Sequence, residues 1–306
     1  MTRVTLLSGG VGGARAARGF DSVLGADELT VVVNVGDDDR IHGVHVSADV
    51  DTVLYTLADR EGPQGWGIAG DTFTAMDRLS AAGEDTTFRL GDADLALCLT
   101  RTRALEAGEP LSSIIARTAA LLGVTRRIIP ATDGALRTRI ETTEGEWLDF
   151  QEYFVSRGHR DEVATVEYSG AGLTTPAPGV LEAITTADLV VIAPSNPPLS
   201  VWPILAVPGV RDALARARRV LAVSPLFAGI ALKGPAHRVM ASLGLPRGNA
   251  GVLAAYRGLL TDLVVDVGDS ADVAGLAGEV AIHAADTRII RRVDAARLAS
   301  FIMGLP

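Results

Sequence analysis

Residues 4–15 of this 306-residue chain read VTLLSGGVGGAR, and this stretch decides the fold. The apolar run at 4–7 predicts a buried strand, and the glycine-rich run after it predicts a sharp turn into a helix. Glycine lets the backbone approach a phosphate closely, and the start of a helix offers unpaired N–H groups to an anion. The predicted phosphate-binding residues are Gly9, Gly10, Gly12, Gly13 and, as a cation on the first helical turn, Arg15. The alternative is a tight strand-to-helix turn that binds no ligand.

The glycine loop departs from two other nucleotide-binding loops. It is not a P-loop, because no Gly-Lys-Ser/Thr sequence follows. The dinucleotide-binding pattern needs a third glycine where this chain has Arg15, whose side chain would prevent close packing of helix on strand. A nicotinamide-dependent oxidoreductase is therefore the disfavoured alternative. We expect Gly12 to have either a positive φ or a close approach to phosphate.

Continuous apolar runs recur along the chain and alternate with helical patterns. The runs at 29–35, 189–193, 220–223 and 263–267 predict strands covered on both faces, and the segments 51–60, 72–82, 111–122, 210–217 and 250–260 predict helices. This alternation predicts an α/β fold, a doubly wound Rossmann-like and mostly parallel sheet. Residues 1–124 and 178–306 are the predicted nucleotide- and substrate-binding core.

Residues 125–177 follow a different pattern. The segments 137–142 and 147–150 predict a hairpin around Glu144-Gly145, and the remainder is rich in polar residues, glycine and proline. We therefore expect a smaller inserted α+β subdomain here.

Composition limits the classes of partner. The formal net charge is −9, which disfavours nucleic acid, and 48% hydrophobic residues are enough for a large core. No apolar run reaches the ~18–20 residues that span a bilayer, and the first residues lack a signal-peptide pattern. The single cysteine, Cys98, cannot form an internal disulfide. We expect a cytoplasmic protein without a membrane or nucleic-acid partner.

Acidic residues follow the second predicted strand and open the next helix. Asn34, Asp37 and Asp38 stand at the carboxyl end of that strand, where open α/β sheets bind ligands. Asp49 and Asp51 open the helix that follows. Mg²⁺ prefers one or two carboxylates together with phosphate oxygens and water, so Asp37 or Asp38 with Asp49 or Asp51 is the predicted magnesium site. The alternatives are a solvated acidic loop and a helix cap.

Two other loops offer polar groups for a substrate. Residues 193–201 read APSNPPLSV after a strongly apolar strand, and Ser195, Asn196 and Ser200 in this rigid loop are predicted to bind a base or phosphate. Residues 233–237, KGPAH, join a cation to a turn and are a candidate second phosphate contact.

The remaining polar motifs have weaker interpretations. His42 and His45 are predicted substrate contacts or ordinary polar residues, residues 70–73 a helix N-cap, and residues 90–95 a turn with two carboxylates. No Ser-His-Asp order, CxxC pair or HExxH motif is present. The set favours phosphoryl chemistry by positioning and metal electrostatics over a covalent nucleophile.

Taken in order, these motifs resemble the 2-phospho-L-lactate transferase family of coenzyme F-420 biosynthesis. The resemblance covers nearly the whole chain and is carried by residues 9–15, 34–38, 42–43, 49–52, 70–72, 90–95, 194–201 and 233–236. It implies transfer of a phospholactyl or phosphoenolpyruvyl group from a guanosine-diphosphate-linked donor to the ribityl hydroxyl of the deazaflavin Fo. The products it implies are coenzyme F-420-0, or its dehydro form, and GMP.

The resemblance also implies a requirement for Mg²⁺, with Asp37 and Asp51 as the leading ligands. A carboxylate near the metal is expected to accept the proton of the attacking hydroxyl, with Asp38 or Asp49 as candidates. The chain departs from the family pattern at three places: Ala93 replaces an arginine, Leu97-Cys98 replaces Thr-His, and Ala48 replaces a proline.

Two questions stay open at this point. Regulatory proteins that bind nucleotide sugars share such a fold and glycine loop, so a binding protein without this catalysis is the alternative function. Tyr55, Trp66 and Phe73 are either walls of a deazaflavin cleft or core side chains. A homodimer is expected, because α/β enzymes often form symmetric dimers.

Overall fold

The structure is a computed structural model that describes residues 2–232, 234–276, 278 and 280–306. Its strands are β1 (Val4–Ser8), β2 (Leu29–Val33), β3 (Asp39–Ile41), β4 (Val44–Val46), β5 (Arg127–Pro130), β6 (Arg137–Thr142), β7 (Trp147–Asp149), β8 (Val163–Ser169), β9 (Leu189–Ile192), β10 (Val220–Val223), β11 (Leu226–Phe227), β12 (Ile230–Ala231), β13 (Asp262–Asp266) and β14 (Ala281–Ala285). Its α-helices are α1 (Gly10–Val23), α2 (Ala48–Leu57), α3 (Thr74–Ala81), α4 (Asp92–Glu106), α5 (Leu111–Leu121), α6 (Val180–Thr186), α7 (Trp202–Ala206), α8 (Val210–Ala215), α9 (Ala236–Ser242), α10 (Asn249–Ala255), α11 (Val273–Leu276) and α12 (Arg292–Met303).

In the described part of the chain, seven strands form a parallel sheet in the order β14-β13-β10-β9-β1-β2-β5. The chain winds outward from β1 through β2 to β5, then returns to β9 and winds to the other edge. The sheet is therefore doubly wound, with its reversal of strand order between β1 and β9. The central strands are fully buried, which explains their continuous apolar sequences. The predicted α/β fold class is confirmed.

The five predicted strands all lie in this sheet, with ends that differ by at most two residues. The sequence did not predict the two edge strands, β5 and β14. Strand β5 reads RIIP, in which only two apolar β-branched residues stand between an arginine and a proline, and β14 reads AIHAA, which lacks the β-branched run of a central strand. Edge strands are covered less completely, so their sequences carry a weaker pattern.

A smaller antiparallel sheet has the order β7-β6-β8, and its β6–β7 hairpin confirms the one predicted from residues 137–150. Its buried side chains, among them Ile140 and Leu148, pack with Leu199 and Val239 of the main body. Strand β5, which lies inside the predicted insertion at 125–177, pairs instead with β2 of the main sheet. The division into domains stays a prediction.

Helix α1 packs between α2 and α12. Gly19 permits the close approach of α12, because a Cβ atom there would collide with the carbonyl oxygen of Ala295. Among the described residues, no helix is both long enough and apolar enough to cross a membrane.

Candidate active site

The predicted ligand loops meet at the carboxyl ends of three neighbouring strands. The glycine loop follows β1, the loop beginning at Asn34 follows β2, and the proline loop at 193–201 follows β9. Because these strands are adjacent and parallel, their following loops share one edge of the sheet, beside the reversal of strand order.

The glycine loop is fixed by close contacts with the proline loop. Gly10, the first residue of α1, has a φ of 64°, which favours glycine. Gly12 lies in helical backbone, and a Cβ atom there would collide with the carbonyl oxygen of Pro194. A Cβ at Gly13 would likewise collide with the hydroxyl of Ser8. The close approach that we expected at Gly12 is therefore to the protein's own backbone.

Asn34 joins the two acidic motifs. Its Nδ2 donates to Oδ2 of Asp49 at 3.0 Å and to Oδ1 of Asp37 at 3.3 Å, and its Oδ1 accepts from the amide of Gly36 at 2.8 Å. The amide of Gly10 donates to Oδ1 of Asp49 at 2.6 Å. The structure thus brings the Asp37 and Asp49 carboxylates together at the start of α1.

Burial makes this carboxylate pair electrostatically costly. The pKa of Asp37 lies well above its ordinary value, first because of desolvation and then because of the charges of Asp49 and Asp38. Desolvation raises the pKa of Asp49 to about 6, against hydrogen bonds from Asn34 and Gly10 that lower it. Two buried carboxylates that repel each other are relieved by a shared proton or by a cation. Their hard oxygen atoms fit Mg²⁺.

Asp38 faces a different set of partners. Its Oδ2 accepts from the hydroxyl of Ser47 at 2.7 Å and lies 3.0 Å from Nε2 of His45 on β4. Within the described residues its buried Oδ1 has no hydrogen-bond partner. His42 is placed elsewhere, with its Nε2 2.7 Å from the carbonyl oxygen of Phe88. Of the two histidines, His45 therefore belongs to the site.

Asp51 is paired with a buried arginine that the sequence did not reveal. Arg101 of α4, 2% exposed, donates to both carboxylate oxygens of Asp51, one at 2.9 Å. Burial raises the pKa of Asp51 although Arg101 opposes that shift. Asp51, one of the two leading metal ligands that the resemblance implies, thus already has a cation on both carboxylate oxygens. The segment around Arg101 is polar on several faces, so no apolar stripe marked it as buried.

Asp94 and Cys98 lie next to this ion pair and form a cluster with Asp51. Ligand atoms of Asp51, Asp94 and Cys98 all lie within 4.8 Å of one another, a spacing that a metal ion could bridge. The Arg101 guanidinium is 3.9 Å from the Cys98 sulfur, and the Tyr55 hydroxyl donates to Asp94 at 2.7 Å. Burial raises the pKa of Asp94 to about 6. Because the Arg101 guanidinium already supplies positive charge to this cluster, we interpret the cluster as a polar network that supports the site.

Tyr55, one of the three aromatic residues predicted as cleft walls or core, is a core residue with 1% exposure. Trp66 and Phe73 are exposed. Trp66 lies in a loop closed by the bridge between Glu61 and Ile68. This loop packs on the start of α1, since a Cβ at Gly65 would meet Val11.

Residues 70–73 and 90–95 form a reciprocal pair of helix caps. Asp92 accepts from the amides of Thr74 and Ala75 at the start of α3, and Asp71 accepts from the amides of Ala93 and Asp94 at the start of α4. The prediction of a turn at 90–95 was wrong, because the residues from Asp92 onward are helical. These carboxylates have a structural role.

The proline loop is tied to the glycine loop. The Ser195 hydroxyl donates to the carbonyl of Gly9 at 2.6 Å, and Oδ1 of Asn196 accepts from the amide of Leu199 at 3.3 Å. Ser200 lies beside Gly9 and Gly10, and its hydroxyl is 3.9 Å from the position that a Cβ atom would take on Gly10. All three predicted polar residues are therefore at the site, although Ser195 and Asn196 already have backbone partners.

Two predicted cations have other positions. Arg15 donates to the carbonyl of Ile289 at 3.1 Å and lies 3.5 Å from Glu61, so its guanidinium is engaged beside α1. Lys233 lies outside the described residues. In the same segment, Nδ1 of His237 accepts from the amide of Ala231 at 3.3 Å.

A cleft of about 150 Å³ separates the aspartate loop at 36–39 from the smaller sheet. Its walls are held together by two hydrogen bonds, from the amide of Thr138 to the carbonyl of Gly36 at 2.6 Å and from Nε2 of Gln151 to the carbonyl of Asp37 at 2.8 Å. Arg137, at the start of β6, also lines this cleft. The sequence did not indicate these neighbours, because they reach the site only through docking of the smaller sheet.

Comparison with known proteins gives a consistent result over most of the chain. A family model described as 2-phospho-L-lactate transferase CofD matches residues 4–293. A phosphoenolpyruvate transferase from Streptomyces griseus is 39% identical over 278 residues, which cover 89% of this chain and 87% of that protein. A phosphoenolpyruvate transferase from Mycolicibacterium smegmatis is 38% identical over 296 residues, 90% of each chain. A 2-phospho-L-lactate transferase from Methanosarcina acetivorans is 35% identical over 303 residues, 98% of each chain.

Among solved structures, a member of the UPF0052 family from Bacillus halodurans superposes with a TM-score of 0.66 and covers 99% of both chains. Its sequence identity is 18%, so this likeness concerns the fold alone.

Proposed function

This chain belongs to the 2-phospho-L-lactate transferase CofD family, and from that premise we propose the reaction that it catalyses. The chain is a 2-phospho-L-lactate or phosphoenolpyruvate transferase of coenzyme F-420 biosynthesis. In the proposed reaction, a guanosine-diphosphate-linked donor transfers its phospholactyl or phosphoenolpyruvyl group to the ribityl hydroxyl of Fo. Coenzyme F-420-0, or its dehydro form, and GMP are the products.

The observation that carries the proposal is the buried pair of Asp37 and Asp49 beside the start of α1. Asn34 and the Gly10 amide hold these carboxylates in place, and nothing in the described fold neutralises them as Arg101 neutralises Asp51. A helix N-terminus next to paired carboxylates suits a diphosphate bound together with a divalent cation.

The donor set fits Mg²⁺, with Asp37 and Asp49 as the proposed ligands. When bound, Mg²⁺ would supply positive charge that offsets the negative charge developing on the leaving GMP. Asp51, which the resemblance implies as the second ligand, would have to share its oxygens with Arg101. We therefore propose Asp49 rather than Asp51 as the second ligand.

The glycine and proline loops are proposed to bind the donor nucleotide. Gly10 supplies the positive φ of the turn into α1, and Gly9, Gly12 and Gly13 let this turn pack closely on its neighbours, Ser200, Pro194 and Ser8. The Ser200 hydroxyl next to Gly10 is a further hydrogen-bonding group for a phosphate or base.

The acceptor step depends mainly on positioning, because phosphoryl transfer through a loose transition state needs little activation of the nucleophile. The proton of the ribityl hydroxyl still requires an acceptor. Asp38 is the proposed group, since its Oδ1 has no partner among the described residues while Ser47 and His45 fix its Oδ2.

Mass spectrometry of the product tests the function. The protein is mixed with Fo, Mg²⁺ and either the phospholactyl or the phosphoenolpyruvyl donor, and a matched reaction contains a chelator. We expect F-420-0 or its dehydro form only with metal. If neither donor gives product although GDP binds, the transferase proposal fails and a nucleotide-binding role takes its place. The cytoplasmic location and the homodimer stay predictions.

A further inference from the structure

We propose that the cleft between residues 36–39 and the smaller sheet binds the carboxylate of the organic acid carried by the donor, with Arg137 as the binding residue. The inference rests on the proposed function, because it assigns a subsite to that donor. Phospholactate and phosphoenolpyruvate both carry a carboxylate on the carbon that bears the phosphate oxygen. A group that reads this carboxylate must therefore lie close to the residues that hold the phosphate.

Arg137 lies where this requirement places a cation. It lines the cleft together with Asp37 and Asp38. Its guanidinium donates to the carbonyl of its own neighbour Leu136 at 2.9 Å. No carboxylate of the described residues lies within 4.0 Å of it, in contrast to Arg101 and Arg139. Arginine binds a carboxylate through two parallel N–H donors, which gives both affinity and orientation.

Four carboxylates line the cleft, those of Asp37, Asp38, Asp39 and Asp149, and those of Asp38 and Asp149 are bound by side chains of other residues. Asp38 binds Ser47 and His45, and Asp149 lies 3.2 Å from Nε of Arg139. Asp37 is the proposed metal ligand, so its charge is balanced when the site is loaded. Arg137 is the one cationic side chain among the described residues of this lining, so it is the group to which a carboxylate would bind.

The size and stiffness of the cleft suit a small acid. Its volume of about 150 Å³ leaves room for a three-carbon acid. The hydrogen bonds of Thr138 and Gln151 to the aspartate loop keep its walls at a fixed separation. A preformed subsite loses little entropy when the ligand binds.

Binding of two esters that differ only in the carboxylate tests the assignment. The probes are 2-phospholactate and isopropyl phosphate, in which a methyl group replaces the carboxylate, each titrated calorimetrically with Mg²⁺ present. We expect the wild type to prefer 2-phospholactate, and Arg137→Gln to reduce that preference about tenfold or more. Arg137→Lys should restore part of it, because lysine keeps the charge without the planar fork. Arg103→Gln, at an exposed arginine of α4 outside the cleft lining, is the control and should keep the preference.

GDP affinity, measured for each variant, reports that the fold and nucleotide site are intact. Equal binding of the two esters by the wild type, or binding of neither, would overturn the assignment. An unchanged preference in Arg137→Gln would also overturn it. The same loss in Arg103→Gln would overturn it too, because it would mark a long-range charge effect. Failure of the proposed reaction is read separately, from product formation with Fo.

Discussion

The amide nitrogen of Gly10 donates a 2.6 Å hydrogen bond to Oδ1 of Asp49, so the start of α1 already holds an anion of the protein itself. The positive end of a helix dipole favours such a carboxylate. Asn34 binds the other oxygen of Asp49 and also reaches Asp37. The phosphate loop and the proposed metal ligands are therefore one connected structure, and a change in either should affect both.

Asp37→Asn and Asp49→Asn should each abolish most metal-dependent turnover. A metal ion stabilises transition-state charge by several kcal/mol, so the loss should be about a hundredfold or more. The measurement is the rate of F-420-0 formation against Mg²⁺ concentration. The exposed Asp27→Asn variant is the control and should behave as the wild type. If Asp37→Asn and Asp49→Asn both keep the full rate at limiting Mg²⁺, the metal binds elsewhere.

The same pair predicts a pH dependence of stability in the metal-free protein. The pKa of Asp37 in the folded state lies well above the ordinary 3.8, so folding favours its protonated form. The contribution of Asp37 to the free energy of unfolding should therefore be most favourable at low pH, and it should fall as pH rises through the raised pKa. Asp37→Asn imitates the neutral form and should escape that loss.

Thermal unfolding of wild type and Asp37→Asn at pH 4 to 8 checks this expectation. The variant should be more stable at neutral pH, by on the order of 1–3 kcal/mol, and the difference should shrink toward pH 4. Mg²⁺ should stabilise the wild type more at pH 7.5 than at pH 5. A variant that is less stable than the wild type across the range would contradict the pKa argument.

The sequence predicted the half of the site that follows directly from strand order. Asp37 and the glycine loop meet because they follow the adjacent parallel strands β2 and β1, a rule that needs no tertiary detail, and Asp49 opens α2 in the connection that follows β2. Arg101 could not be predicted in its role, because it reaches Asp51 from α4, a helix without a clear apolar stripe. Arg137 and Gln151 come from the smaller sheet, whose docking depends on side-chain packing around Leu199 and Val239.

Arg101 should contribute to stability chiefly by neutralising Asp51. Arg101→Met leaves a buried carboxylate without a counter-charge and should cost about 3–5 kcal/mol in the free energy of unfolding. The double variant Asp51→Asn/Arg101→Met should recover much of this loss. Urea unfolding measures both, with the exposed Arg103→Met two residues along α4 as control.

Mg²⁺ titration of Asp51→Asn separates the two candidate partners of Asp37. If Asp51 only pairs with Arg101, its variant should lose stability and retain more metal affinity than Asp49→Asn. A metal affinity as low as that of Asp49→Asn would restore Asp51 as the ligand.

Gly10 and Gly12 should respond differently to alanine. At Gly10 the space is open, but the φ of 64° makes alanine unfavourable by about 1–2 kcal/mol. At Gly12 the backbone is helical, and the new Cβ would collide with the carbonyl oxygen of Pro194. We expect Gly12→Ala to displace the proline loop and to lower stability and GDP affinity together. Calorimetry and thermal unfolding measure both, and a Gly12→Ala variant as stable as the wild type would contradict the packing argument.

Trp66 is expected to bind the planar ring of Fo. Its side chain is 53% exposed at the end of a loop whose Glu61 pairs with Arg18 of α1 at 2.5 Å, so an exposed aromatic surface is held next to the glycine loop. Stacking of aromatic rings contributes about 0.5–1.5 kcal/mol beyond buried area, so Trp66→Leu should weaken Fo binding roughly tenfold. Fo fluorescence polarisation in the presence of GDP and Mg²⁺ measures the affinity.

Trp147→Leu, at a partly exposed tryptophan on β7, is the matched control and should bind Fo normally. Because Glu61 anchors the loop on Arg18 without help from Trp66, GDP affinity should stay unchanged in Trp66→Leu. Equal Fo affinity in the two tryptophan variants would place the deazaflavin ring elsewhere and leave Trp66 as an ordinary surface residue.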